Sequence, residues 1–153
     1  MQKKNILSRR NNRLKNIAVI YKRELLEIDY DIVELTKEFN LNQEQIEHLL
    51  IVIKWDKFNK TILSKLLNEN WSLDRLSPLI KAIILNACVE FWNIEPKIVI
   101  NEAIEITKDY FGKPNELISG KSNDENLYQF VNGVLENFYK LLIKFESESK
   151  NVK

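Results

Sequence analysis

Apolar residues recur at helical spacing along most of the chain, and the places where that rhythm breaks divide it into segments. In Pro96 to Phe111, Ile100, Ala103, Ile104 and Thr107 fall at i, i+3, i+4 and i+7. Val99, Ile106 and Phe111 widen this face, so the spacing predicts a helix buried on more than one side. With its counterpart FVNGVLENF at 130–138, it is expected to form the centre around which the other helices pack. Pro96 suits a first helical turn, and Gly112 suits a C-cap.

The remaining segments follow the same logic. Ser8 is placed to cap a first helix over about 8–28, with Leu14, Ile17, Ala18, Tyr21, Leu25 and Ile28 on its apolar face and 1–7 held loosely. A short helix is predicted over Ile32 to Phe39. After Asn42, a stripe of Ile46, Leu49, Leu50 and Ile53 opens the next, which continues through Phe58, Ile62, Leu63, Leu66 and Leu67 to about Glu69. WSLDRLSP at 71–78 reads as a short helical turn, with Ser77 capping and Pro78 starting a very apolar helix to about Asn93. The longest loop is 112–124, and Ser122 with Glu125 has capping-box spacing. A last helix over about 124–146 is expected to turn Leu127, Phe130, Val131, Val134, Phe138, Leu141, Leu142 and Phe145 inward, leaving 147–153 flexible. Asn132–Gly133 falls inside it. A mid-helix glycine costs ~1 kcal/mol relative to alanine, so another backbone is expected close by, with Asn132 bonding to that neighbour or to a ligand.

Composition supports an all-α single domain: the chain has 153 residues, with only three glycines and three prolines. A single cysteine excludes an intramolecular disulfide framework and fits a reducing cytoplasm. The longest aliphatic run is the five residues Leu49 to Ile53, too short for a bilayer, so a soluble cytoplasmic protein is expected.

Charge changes the picture more. The chain holds 23 basic and 22 acidic residues, but residues 1–23 carry eight of the basic ones and no acid, which leaves the rest with a net charge of −7. Such asymmetry points to a polyanionic partner at the basic head. Arg9, Arg10 and Arg13 would lie in the first two turns of a helix starting at Ser8, where the macrodipole disfavours cations by ~0.3–1 kcal/mol each. The same helix end offers N–H groups that bind phosphate. RNA or DNA binding and a solvated basic tail both fit. Tyr21, Phe111 and Phe130 fit either core packing or base stacking.

Other candidates read as structural. His48 is the one histidine and has no second ligand at helical spacing; Cys88 sits among apolar residues; Glu102 and Glu105 lack a His or Cys beside them. There is no Walker loop, Rossmann fingerprint or CxxC, so no active site, metal or cofactor is expected.

Four blocks then resemble one family. INEAIEITKDYFG at 100–112, FVNGVLENF at 130–138, RRNNRLKNIAVIY at 9–21 and WSLDRLSPLIKAIILNACVEF at 71–91 are similar, in order, to those of the NusB family of transcription antitermination factors. The resemblance implies a compact all-α bundle of about seven helices in two packed subdomains, without enzymatic activity. It implies binding of single-stranded boxA RNA of ribosomal RNA operons together with NusE, a small-subunit ribosomal protein, within an RNA polymerase antitermination complex. Homodimerisation is a further implied possibility. The resemblance implies RNA contacts at Arg9, Arg10, Arg13, Tyr21, Phe111 and Phe130; Lys4 of the basic head and Asn132 complete the expected RNA-binding set, and the expected partner-binding set is Ile80, Lys81 and Glu90. This chain departs from the family at Ile80 and Leu85, at Asn11 and Asn12 within the arginine run, and in its longer 112–124 loop. Two alternatives stand beside this reading. One is a NusB-like protein-interaction module, for which exposed Ile80 and Leu85 would be the clue; the other is a stand-alone relative of the N-terminal domain of RNA cytosine methyltransferases.

Overall fold

The structure, a computed structural model, describes residues 2–67, 72–111 and 127–151. Among them are six α-helices, one 3-10 turn and no strand. The helices are α1 (Gln2–Leu26), α2 (Ile32–Phe39), α3 (Gln43–Leu66), α4 (Pro78–Glu90), α5 (Pro96–Phe111) and α6 (Leu127–Asn151), with the 3-10 turn at Leu73–Arg75. The family resemblance implied about seven helices, against six α-helices among the described residues; the short helical turn expected in WSLDRLSP is the 3-10 turn Leu73–Arg75. Glu69, Gly112, Ser122, Glu125 and the 112–124 loop lie outside the described residues.

The centre is α4, not α5. Ten residues of α4 are buried, from Ile80 through Glu90, on every side of the helix. A helix apolar all round has to be covered all round, and α1, α3, α5 and α6 all pack against it. Its start is fixed locally: the Ser77 hydroxyl accepts from the Leu79 N–H at 3.3 Å, and Pro78 occupies the first turn. In α5, by contrast, Glu102, Glu105, Lys108 and Asp109 interrupt the apolar face, and only Val99, Ala103, Ile106 and Thr107 are buried. The second face of α5 rests on α6.

Local capping explains several boundaries. Asp31 Oδ1 accepts from Glu34 N at 3.2 Å to open α2, and Asn40, at φ 53°, closes it. Asn42 and Gln45 form a reciprocal capping box at the start of α3, each backbone N–H donating to the other's side-chain oxygen at 2.8 Å. α1 starts at Gln2, so Ser8 is inside the helix and not its cap. The segment Gln2–Leu7 contains no glycine or proline to stop it. Its buried face is also turned: Val19 and Ile20 are fully buried, whereas Leu25 and Ile28 are exposed.

Three further expectations are corrected. α6 runs to Asn151, past the expected end at 146. Leu135, at i+4 from Val131, is fully buried, while Phe145 is exposed and leans on Phe58. Ile80 and Leu85 are each 1 % exposed, so neither forms a surface patch, and the observation that would have favoured a bare interaction module is removed. No helix among the described residues is long and apolar enough to cross a membrane.

Gly133 differs from expectation in a testable way. Among the described residues, a Cβ added there would meet nothing within 4 Å, so none of their backbones requires a glycine. Gly133→Ala is therefore expected to stabilise the protein by ~1 kcal/mol through helix propensity alone, seen as a raised urea midpoint. A lowered midpoint would show that the site is crowded after all.

Candidate nucleic-acid interface

The expected interface rests on the arginines of α1, and the structure gives the three different environments. Arg9 is exposed and makes no ion pair among the described residues. Arg10, with its side chain 36 % exposed, reaches Glu102 on α5 through Nη2 at 2.9 Å and Nε at 3.1 Å. The Arg13 side chain is only 10 % exposed, and its Nε is shared between the two oxygens of Glu90 at 2.7 and 2.8 Å. A third link joins Arg13 Nη1 to Glu102 at 3.6 Å. Because α1 begins at Gln2, these residues lie beyond its first turn, and the macrodipole argument for phosphate binding at Arg9, Arg10 and Arg13 falls away.

Glu90 is the hub of a wider buried network. Its Oε1 also accepts from Asn86 Nδ2 at 3.0 Å, which orients the Asn86 amide and leaves Oδ1 facing His48 Nε2 at 2.7 Å. The His48 ring therefore donates through Nε2–H. Burial lowers the His48 pKa; the Asn86 bond and the Glu90 charge oppose this, and Arg13 adds to it, with a net downward shift. His48 is neutral at pH 7 and structural.

Asn12 gives the interruption of the arginine run a reason. Its Oδ1 accepts from Gln45 Nε2 at 3.1 Å and Asn42 Nδ2 at 3.3 Å, tying α1 to the capping box of α3. A second cluster gathers round Glu24, which meets Lys60 at 2.7 Å, Arg23 at 2.9 Å and Lys81 at 3.8 Å. Burial pushes the Glu24 carboxyl up, but Lys60, Arg23 and Lys81 together outweigh it and hold it below its ordinary value.

The other expected site residues are spread over the fold. Tyr21, Phe111 and Phe130 are half-buried against the core. Asn132 is half-buried on α6. Lys108 Nζ lies 4.8 Å from the Tyr128 ring centre, so the end of α5 carrying Phe111 meets the start of α6 carrying Phe130. Lys4 falls in the first turn of α1. Of the expected partner-binding set, Ile80 is in the core, Lys81 turns to Glu24 with its side chain 12 % exposed, and Glu90 is consumed by Arg13. None presents a free side chain to a partner. Sequence reasoning missed Asn86 as the link to His48; an Asn and a Glu four apart in an otherwise apolar run carried that signal.

Alongside α1 lies a cleft of about 870 Å³, bounded by α3 and the turn between α4 and α5. Arg9 stands on its lining with Glu44, Glu47 and Glu95. Among the described residues no group of three or more His, Cys, Asp or Glu could hold a metal ion.

Comparison with known proteins is consistent with this architecture. A family model described as NusB family matches residues 3–140. The chain is similar to the transcription antitermination protein NusB of Staphylococcus epidermidis, with 26 % identity over 138 residues, covering 86 % of this chain and 98 % of that protein. It is similar to the protein of the same name from Leptospira biflexa, with 29 % identity over 107 residues, covering 65 % and 67 %. Among solved structures, a protein chain from the "Crystal Structure of a Plectonemic RNA Supercoil" superposes with a TM-score of 0.64 at 24 % identity, covering 88 % of this chain and 96 % of that one. At that identity the likeness is one of fold.

Two outcomes follow from the buried network. Arg13→Met or Glu90→Gln is expected to cost about 3–5 kcal/mol, because each removes the principal partner of a largely buried charge. Arg9→Ala is expected to stay within ~0.5 kcal/mol of the parent; urea unfolding checks both. His48 has a folded pKa below its unfolded value of about 6.5, so the unfolded chain binds more protons as pH falls and stability declines below about that pH. His48→Gln retains an N–H donor for Asn86 and is expected to flatten this decline, as measured by unfolding midpoints between pH 7 and 5.

Proposed function

The chain belongs to the NusB family, and from that premise we propose that it is a transcription antitermination factor that binds the single-stranded boxA element of ribosomal RNA operons together with NusE. The observation that carries this reading is the acid-free head: residues 1–23 hold eight basic residues and no acid, all eight on α1, whose Arg9 is exposed and makes no ion pair among the described residues. Phosphate contacts supply most of the affinity of such an interface. Arg9, Arg10 and Lys4 are the proposed phosphate contacts. Arg13 is the positioning residue that clamps α1 to α4.

Bases are proposed to stack at Tyr21, Phe111 and Phe130, whose rings are half-buried against the core, with Asn132 on the same helix as Phe130 as a hydrogen-bonding group. The role is non-catalytic and cytoplasmic. A NusE contact through Ile80, Lys81 and Glu90 would need those side chains at the surface, so the proposal for NusE carries no residues from that face.

Titration of a fluorescent boxA-like RNA at several salt concentrations, with and without NusE, tests the reading. The slope of log affinity against log salt is expected at about −0.7 per phosphate neutralised on a single strand. Arg9→Ala and Arg10→Ala should each flatten it by about one such increment. Affinity should rise when NusE is present and fall with a scrambled RNA. Salt-sensitive binding that ignores sequence would reduce the head to a basic tail.

A further inference from the structure

We propose that the cleft between α1, α3 and the α4–α5 turn, with the aromatic patch beside it, docks a basic protein segment that carries an apolar anchor. This inference rests on acidic and aromatic residues that the RNA reading does not use, although Arg9 stands on the cleft's edge as well. The two carboxylates deepest in the charged network, Glu90 and Glu102, are neutralised by Arg13 and Arg10. That leaves Glu44, Glu47 and Glu95 on the cleft lining without an ion pair among the described residues, facing the single unpaired cation Arg9. Glu44 and Glu95 suit the positive starts of α3 and α5. Glu47, in the second turn of α3, accepts only the neutral Gln43 amide among the described residues, at 3.3 Å.

Asn16 also lines the cleft, but its side-chain oxygen is enclosed and has no partner among the described residues, so it does not itself present an acceptor to a ligand. The exposed carboxylates call for N–H donors, which an arginine or lysine side chain supplies.

The adjoining patch supplies the anchor site. Trp92 is 54 % exposed and stacks on Trp55 with ring centres 6.0 Å apart. Phe58 meets Trp55 edge-on at 5.5 Å, and Phe145 extends the patch from α6. Patch and cleft are continuous. Trp92 immediately precedes Asn93, Ile94 and Glu95 on the lining, and Ile51 on the lining lies one helical turn from Trp55. A guanidinium pairs with carboxylates and stacks on indole faces, so an arginine-bearing segment uses both parts. Phosphate would meet three unpaired carboxylates in the cleft, which disfavours RNA there. Buried aromatic anchors flanked by charges are also the usual energetic centre of a protein interface.

The test uses the whole protein and a capped twelve-residue peptide of alternating arginine and leucine, followed by tryptophan fluorescence and calorimetry. Glu47→Gln and Glu95→Gln should each weaken binding several-fold and Trp92→Ala at least tenfold. Glu136→Gln, an exposed acid on α6 outside the cleft lining, should leave it unchanged. All four positions are exposed, so unchanged urea midpoints confirm intact folds. Equal binding by all variants would reduce the effect to general charge attraction and overturn the proposal. So would a single-stranded RNA whose affinity drops in Trp92→Ala, since the patch would then be a nucleic-acid surface. Loss of RNA binding in Arg9→Ala with peptide binding intact bears on the RNA reading alone.

Discussion

A carboxylate sits where the fold can least accommodate one. α4 must be surrounded because it is apolar on all sides, and Glu90 lies at its end inside that enclosure. An isolated buried charge is too costly to leave unpaired. The constraint is met by Arg13 from α1 at 2.7 Å and by Asn86 one turn earlier on α4, which in turn holds His48 of α3. Glu102 on α5 is drawn in by Arg13 and Arg10. Four helices are thus registered against one another by a chain of polar contacts running through an otherwise apolar interior.

That chain also sorts the arginines. A cluster that looks uniform in sequence separates into a buried clamp, a tethered cation and an exposed one. The position closest to the network is the least available to a ligand, and availability increases from Arg13 through Arg10 to Arg9. The basic head is therefore narrower as a binding surface than its charge suggests, but it is held in a fixed orientation. The neighbouring cleft carries more acids than bases, with Arg9 at its edge, so basic head and acidic cleft meet along α1.

Much of this was legible in sequence, for identifiable reasons. α2 and α5 have the bounds that periodicity implied, because Asp31, Asn40 and Pro96 punctuate them clearly. The start of α1 was misplaced because Ser8 looks like a cap while nothing before it breaks a helix. The centre was assigned to α5 because its apolar stripe is regular; α4, apolar on every side, has no stripe to detect. Gly133 looked like a site of close approach, but propensity alone cannot distinguish a crowded glycine from an open one. The basic head was visible by counting charges. Which arginine serves structure and which serves binding depended on Glu90 and Glu102, 77 and 92 residues away from their partners. No local pattern carries that pairing.

The most direct test of the clamp is a double-mutant cycle between Arg13 and Glu90 on the free energy of unfolding, using Arg13→Met and Glu90→Gln. If the pair registers α1 on α4, the double variant should be less destabilised than the two single changes summed, with a coupling of about 1–3 kcal/mol. Additivity to within ~0.5 kcal/mol would mean the two side chains act independently, and the account of the arginine cluster built on their pairing would be wrong.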